Sequence, residues 1–205
     1  MSSRLKIVIP LVAVAIIGGA LFLLKDRIAG PLSNGQGQNS NQPPSGSQGQ
    51  PTIVRSVSIS YPRGWVAESL TSADKLAGLI VKAHRENPTA SFSARSIVGE
   101  LEANINVAAA ADQVVESLTK EIENFTLVSN KTLNTKSYRT IQIRYKQQSS
   151  RDQTVTENLL TILLTRNQTF YLSLRSAEAD YRAIESETQQ LILNFATYLN
   201  SQGLQ

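Results

Sequence analysis

The chain has 205 residues, of which 41% are hydrophobic and 18% charged, a composition that suits one ordinary globular domain. With no cysteine and a single histidine, His84, it excludes disulfides, thiolate metal sites, iron–sulfur clusters, thiol nucleophiles and two-histidine metal motifs. Of the net charge of +4, Arg4, Lys6, Lys25, Arg27 and Asp26 lie within residues 1–52, leaving 16 basic and 15 acidic side chains for residues 53–205. So even a balance does not suit the phosphate backbone, and no nucleic-acid partner is expected.

Residues 1–28 predict an N-terminal transmembrane anchor. Ile7 to Leu24 are 18 uncharged, mostly apolar positions flanked by basic residues on both sides. As a helix they span about 27 Å, close to the hydrocarbon thickness of a bilayer. Pro10 sits in the first turn, where its missing N–H costs little. The competing reading is a cleaved secretory signal, with Gly18-Gly19-Ala20 imitating a cleavage site, although the apolar run is longer than signals use. Two basic residues on each side leave orientation to the free amine, which favours an amino end in the cytoplasm and a C-terminal domain outside it. Ala15 and Gly19 form a small-xxx-small pair that could bring two anchors together, though such pairs arise readily by chance in this composition.

Residues 29–52, AGPLSNGQGQNSNQPPSGSQGQPT, carry no charge. Glycine, serine, asparagine, glutamine and proline bury too little apolar surface to offset ordering entropy, so the segment reads as a disordered linker. Its root-mean-square span is roughly 25–30 Å and its extended reach about 80 Å.

Residues 53–205 read as one α+β domain. Val57, Ile59 and Tyr61 alternate with Ser56, Ser58 and Ser60, predicting a half-buried strand. Tyr61-Pro62-Arg63-Gly64 then fits a type I turn. Leu76–Val98 predicts two strands, about 76–84 and 91–98, with a short helix over Ser72–His84 as the alternative. Val114, Val115, Leu118, Ile122 and Phe125 share one face of a helix over about Asp112–Asn124. Ile141, Ile143 and Tyr145 alternate as a strand. Val155–Arg166 and Thr169–Ser176, separated by Asn167-Gln168, predict a hairpin. The run Leu159 to Leu164 is apolar on both faces but for Thr161, as in a central strand covered by helices. Tyr181, Ile184, Leu191, Ile192, Phe195 and Leu199 define a long closing helix. Hairpins with helices laid on one or both faces imply an α+β layered domain, mostly antiparallel.

The segment Val57-Ser58-Ile59-Ser60-Tyr61-Pro62-Arg63-Gly64-Trp65 resembles the opening of PsbP/Mog1-like domains, where an alternating strand ends in Tyr-Pro-x-x-Trp or a near variant. Asn104-Ile105-Asn106-Val107 is similar to that group's approach to its first long helix, and the element order from 53 to 200 matches. The resemblance implies a three-layer domain around an antiparallel sheet, in a group made mostly of accessory and adaptor proteins. Its motif fixes a turn and a core anchor. No site residue comes with it.

Ser72-Ala73-Asp74-Lys75 and Ser117-Leu118-Thr119-Lys120 both match S-x-x-K, but neither K-T-G nor S-D-N accompanies them. His84 has no G-x-S-x-G elbow to serve and reads as a solvated side chain near a turn. Glu100/Glu102, Glu121/Glu123 and Glu185/Glu187 are near neighbours on polar faces and read as solubilising charge, not as the opposed carboxylates of a glycosidase. Asn124, Asn130 and Asn167 head short glycosylation sequons of the kind chance produces. No P-loop, EF-hand loop or G-x-G-x-x-G run is present, so no cofactor, metal site or catalytic residue is expected. The expected function is that of a non-enzymatic, membrane-tethered domain outside the cytoplasm that binds another protein. The alternative is a binder of an apolar or lipid-like molecule in a pocket near Trp65, with Tyr61 and Trp65 otherwise serving as core anchors.

Overall fold

In the computed structural model, residues 57–98, 105–134, 138–165 and 167–203 are described. The apolar run 7–24, the linker 29–52 and the Glu100/Glu102 pair lie outside these residues. Among the described residues no helix is long and apolar enough to cross a membrane.

Seven strands form one antiparallel sheet: β1 (Trp65–Ala67), β2 (Leu79–Arg85), β3 (Ala90–Val98), β4 (Phe125–Asn134), β5 (Arg139–Gln148), β6 (Val155–Leu164) and β7 (Gln168–Ala177). Their spatial order is β1-β2-β3-β7-β6-β5-β4. Among the described residues three helices accompany them: α1 (Ser72–Leu76), α2 (Val107–Glu121) and α3 (Glu178–Ser201). Two apolar clusters occupy opposite faces of the sheet. Leu159 and Leu163 of β6 join Phe92, Phe170, Leu172 and Leu174 beneath Tyr181, Ile184, Leu191, Phe195 and Leu199 of α3. Leu160, Ile162 and Leu164 join Ile141, Ile143, Tyr145 and Tyr171 beneath Val107, Ala110, Ala111, Val114 and Leu118 of α2. The doubly apolar β6 is thus central and helix-covered on both sides, as its sequence predicts, and the α+β sandwich follows from it.

Several boundaries move, each for a physical reason. Val57–Tyr61 is not a strand. Ile59 is buried and Ser58 and Ser60 are exposed, so the alternation of burial is real. However, the segment has no strand partner among the described residues. It lies against α3, where Asn194 Nδ2 donates to the Ser60 carbonyl at 2.6 Å. The sheet begins instead at Trp65, after a turn closed by Trp65 N–H donating to Pro62 O at 3.2 Å. That places Gly64 at the third turn position with φ +89°, a conformation suited to glycine. The turn is therefore one residue later than the type I turn expected, and of the kind that needs positive φ.

Both readings of Ser72–His84 are partly right. Thr71 caps a five-residue helix through reciprocal bonds with Asp74, and β2 starts at Leu79. Between them Gly78 adopts φ +77°, and a Cβ there would meet the Ser96 carbonyl oxygen at 3.2 Å. Helix α2 begins five residues before the expected Asp112, because Asn106 Oδ1 accepts from the Ala108 and Ala109 N–H groups. Small alanines form its first turns and fill the close approach to the sheet. Phe125 is not on the helix at all. It opens β4 and stacks on Tyr145, ring centroids 5.1 Å apart. The β6–β7 hairpin closes where Thr165 N–H donates to Gln168 O at 3.0 Å.

Candidate functional site

The charged groups are less evenly spread than the composition suggests. On the α3 side, acids act as clamps between helix and sheet. Glu187 accepts from Trp65 Nε1 at 3.1 Å and also pairs with Arg85. Glu157 of β6, 2% exposed, pairs with Arg144 of β5. Arg144 also reaches Glu185 at 3.4 Å and lies 4.2 Å above the Tyr181 ring centroid. Burial disfavours the Arg144 charge, but the hydrogen bond and field of Glu157 more than offset this and hold its pKa above the usual value. Lys146 reaches Glu178 at 2.5 Å. The Glu185/Glu187 pair, expected to be solubilising, therefore splits between two clamps that fasten α3 to the sheet. Sequence reasoning missed this because the partners lie on other strands, as distant in the chain as Arg85 is from Glu187.

The residues singled out for chemistry stay apart. Ser72 and Lys75 are exposed on α1. Lys120 pairs with Glu116 one turn back at 2.6 Å. His84 Nδ1 lies 3.1 Å from Glu68 Oε1. Trp65 is 6% exposed and belongs to the core, with Tyr61 packed against the same cluster. Among the described residues no three metal-ligating side chains gather.

Two surfaces remain as candidates for interaction. The first is the half of the α2-side face beyond the α2 cluster. That cluster reaches Tyr171 of β7, and past it the register places a polar patch: Ser173 and Arg175 on β7, Ser91, Ser93 and Arg95 on β3, Lys82 and His84 on β2. Three small serines are thus flanked by three strong cations. Among the described residues two carboxylates lie near these cations: Glu68, engaged by Lys82 at 3.0 Å and by His84, and Asp74, which feels the Lys82 charge. Arg95 is 8% exposed, its stem packs on Gly78, and its buried Nη1 has no hydrogen-bond partner among the described residues. Burial lowers its pKa.

The second surface is β4. This ten-residue strand is an edge of the sheet, with no strand beyond it among the described residues. An edge presents a row of unpaired backbone donors and acceptors. Three of the seven exposed large hydrophobic side chains among the described residues, Leu127, Val128 and Leu133, lie on it. Its only charge is Lys131, and a bulge at Val128 shifts its register against β5.

No protein-family model matches the chain, and no curated protein matches it. Solved structures do. A protein of unknown function from Pseudomonas aeruginosa, PA94, is 15% identical, with 69% of this chain and 84% of that one covered at a TM-score of 0.44. LpqN of Mycobacterium tuberculosis, described as involved in cell envelope biogenesis, is 10% identical over 65% and 78% of the two chains, TM-score 0.47. Cyanobacterial PsbP from Synechocystis is 14% identical over 66% and 83%, TM-score 0.43. The chain is thus similar to a PsbP, as it is to the other two. At these identities the likeness is one of fold.

Proposed function

We propose that the chain is a single-pass, membrane-tethered accessory protein whose C-terminal domain lies outside the cytoplasm and binds another protein without catalysing a reaction. The membrane half of this reading rests on sequence: an 18-residue uncharged apolar run with basic flanks, followed by a neutral linker of 24 residues. The binding half is carried by one observation, the polar half-face of the sheet around Arg95. There Lys82, Arg95 and Arg175 surround serines, and the carboxylates near them among the described residues, Glu68 and Asp74, are already engaged by Lys82 and by Thr71. A face of this kind suits an acidic partner surface, since a guanidinium offers paired donors to carboxylates.

In-cell crosslinking of the tagged full chain, read by mass spectrometry, tests the proposal. The control carries the same anchor and linker ahead of an unrelated domain. The expected result is one protein captured by the native chain alone and lost in the Lys82→Glu/Arg175→Glu variant. Capture equal to the control, or unchanged in the variant, refutes the binding reading. Protease added to intact protoplasts should digest the domain, and protection until lysis refutes the orientation.

A further inference from the structure

We infer that β4 is a self-association edge, on which a second copy of this chain adds its own β4 antiparallel across a two-fold axis to join two seven-stranded sheets into one. The geometry limits how this can happen. Asn130 and Thr132 lie opposite Ile143 and Ile141, on the α2 side, whereas Ser129, Lys131 and Leu133 lie opposite Arg144, Gln142 and Thr140, on the α3 side. A two-fold axis perpendicular to the sheet pairs residues of the same face, so beyond the bulge it must pass through a residue, not between two. Centred on Asn130, the pairing would draw in the bulged Val128. Centred on Lys131, it would set two ammonium groups side by side, which is destabilising.

Centred on Thr132, the pairing runs over residues 130–134 and avoids both faults. Thr132 then faces its own copy, a favourable cross-strand pair. Lys131 lies beside the partner's Leu133, which is 62% exposed in the single chain, and covers it with its stem while the ammonium stays in water. Asn130, whose Nδ2 donates to Asp112 Oδ1 of α2 at 3.5 Å, faces Asn134, so this pair sets no like charges side by side. The edge is therefore complementary to itself, with no like charges set opposite each other. The five-residue contact is small, and the N-terminal anchor read from the sequence supplies what it lacks: copies held in one membrane meet at a raised effective concentration. The sheet's other edge, β1, has only three residues and offers no comparable row.

The absence of cysteine gives a clean test. Across a two-fold at Thr132 the two Cα atoms sit about 4.5–5.5 Å apart, inside the roughly 4.4–6.8 Å that a disulfide spans. The full chain carrying Thr132→Cys, expressed in its own membrane and treated with copper–phenanthroline, should form a disulfide-linked homodimer. The yield should exceed that of Thr197→Cys, an exposed site on α3 away from both surfaces, by about tenfold. Adding Leu133→Lys, which sets a second ammonium against Lys131 of the other copy, should abolish the excess, with retention of the fold checked by circular dichroism. Equal yields from Thr132→Cys and Thr197→Cys would mean that the anchors alone, or random collision, bring the chains together, and would overturn the inference. A Thr132→Cys adduct to a different protein in place of the homodimer would overturn it as well. Loss of partner capture by the Lys82→Glu/Arg175→Glu variant leaves this result untouched, so the two readings fail separately.

Discussion

Replacing Arg144 by methionine should be among the most damaging single changes to this domain that remove no apolar volume. Glu157, 2% exposed in the middle of the sheet, would keep its carboxylate and lose the guanidinium that satisfies it. Breaking a fully buried pair this way costs roughly 3–5 kcal/mol. Arg144 is a quarter exposed at the side chain and its far end meets the half-exposed Glu185, so water can reach the vacated position from one side. That lowers the cost to about 2–3 kcal/mol. The lost contact over the Tyr181 ring adds on the order of 0.5–1 kcal/mol, for a total near 3 kcal/mol. In a domain of this size the melting temperature should fall by roughly 6–12 °C.

The informative comparison is a double-variant cycle on residues 53–205 by urea unfolding. Glu157→Met with Arg144→Met replaces the pair by apolar volume and should recover most of the loss, ending within about 1 kcal/mol of the parent. Glu157→Gln alone keeps an acceptor for Arg144 and should cost about 1 kcal/mol. If Arg144→Met costs less than about 1 kcal/mol, or the double methionine variant is no better than Arg144→Met, the clamp reasoning is wrong. The pair would then be an ordinary surface contact.

Burial raises the pKa of Tyr145 to about 12, with Arg175 pulling it part of the way back, and also raises that of Tyr181 to about 12, with Arg144 opposing. A group whose neutral form is favoured in the fold contributes stability that is complete below its unfolded pKa, about 10, and is lost as the pH rises toward 12. Absorbance at 295 nm should therefore show both tyrosines ionising late, and urea midpoints should begin to fall above pH 10. Asp152, held to about 2 by hydrogen bonds from Ser149 and Thr154, should titrate below an ordinary aspartate in a carbon-detected NMR series, and Thr154→Val should move it up. Gly78→Ala should cost about 1–2 kcal/mol in unfolding free energy, because alanine resists φ +77° and its Cβ presses on the Ser96 carbonyl oxygen. Asn106→Ala removes the acceptor for two helix N–H groups and should cost about 1 kcal/mol.

What could be read from the sequence was what burial imprints on it. The run Leu159 to Leu164 is apolar on both sides because two helices cover it, and that alone predicts the layered architecture. The 3.6-residue spacing through α3 is equally direct, since one stripe of that helix meets the sheet. Val57–Tyr61 marks the limit of the method. Alternation reports which side chains are buried, not where the backbone hydrogen bonds go, so an extended segment lying on a helix reads like a strand in a sheet. β4 fails in the opposite sense: it is a true strand with almost no alternation, because most of its side chains are exposed. A strand that buries neither face leaves no periodic signal in the sequence. The surfaces proposed here as functional share that property, since a face kept for a partner is not paid for by the domain's own core. The serines and cations of β2, β3 and β7 look in sequence like any solvated positions, and only the register sets them beside one another. The part of this domain that the sequence states most plainly is its support, and the part most exposed to selection by partners is the part that only the fold assembles.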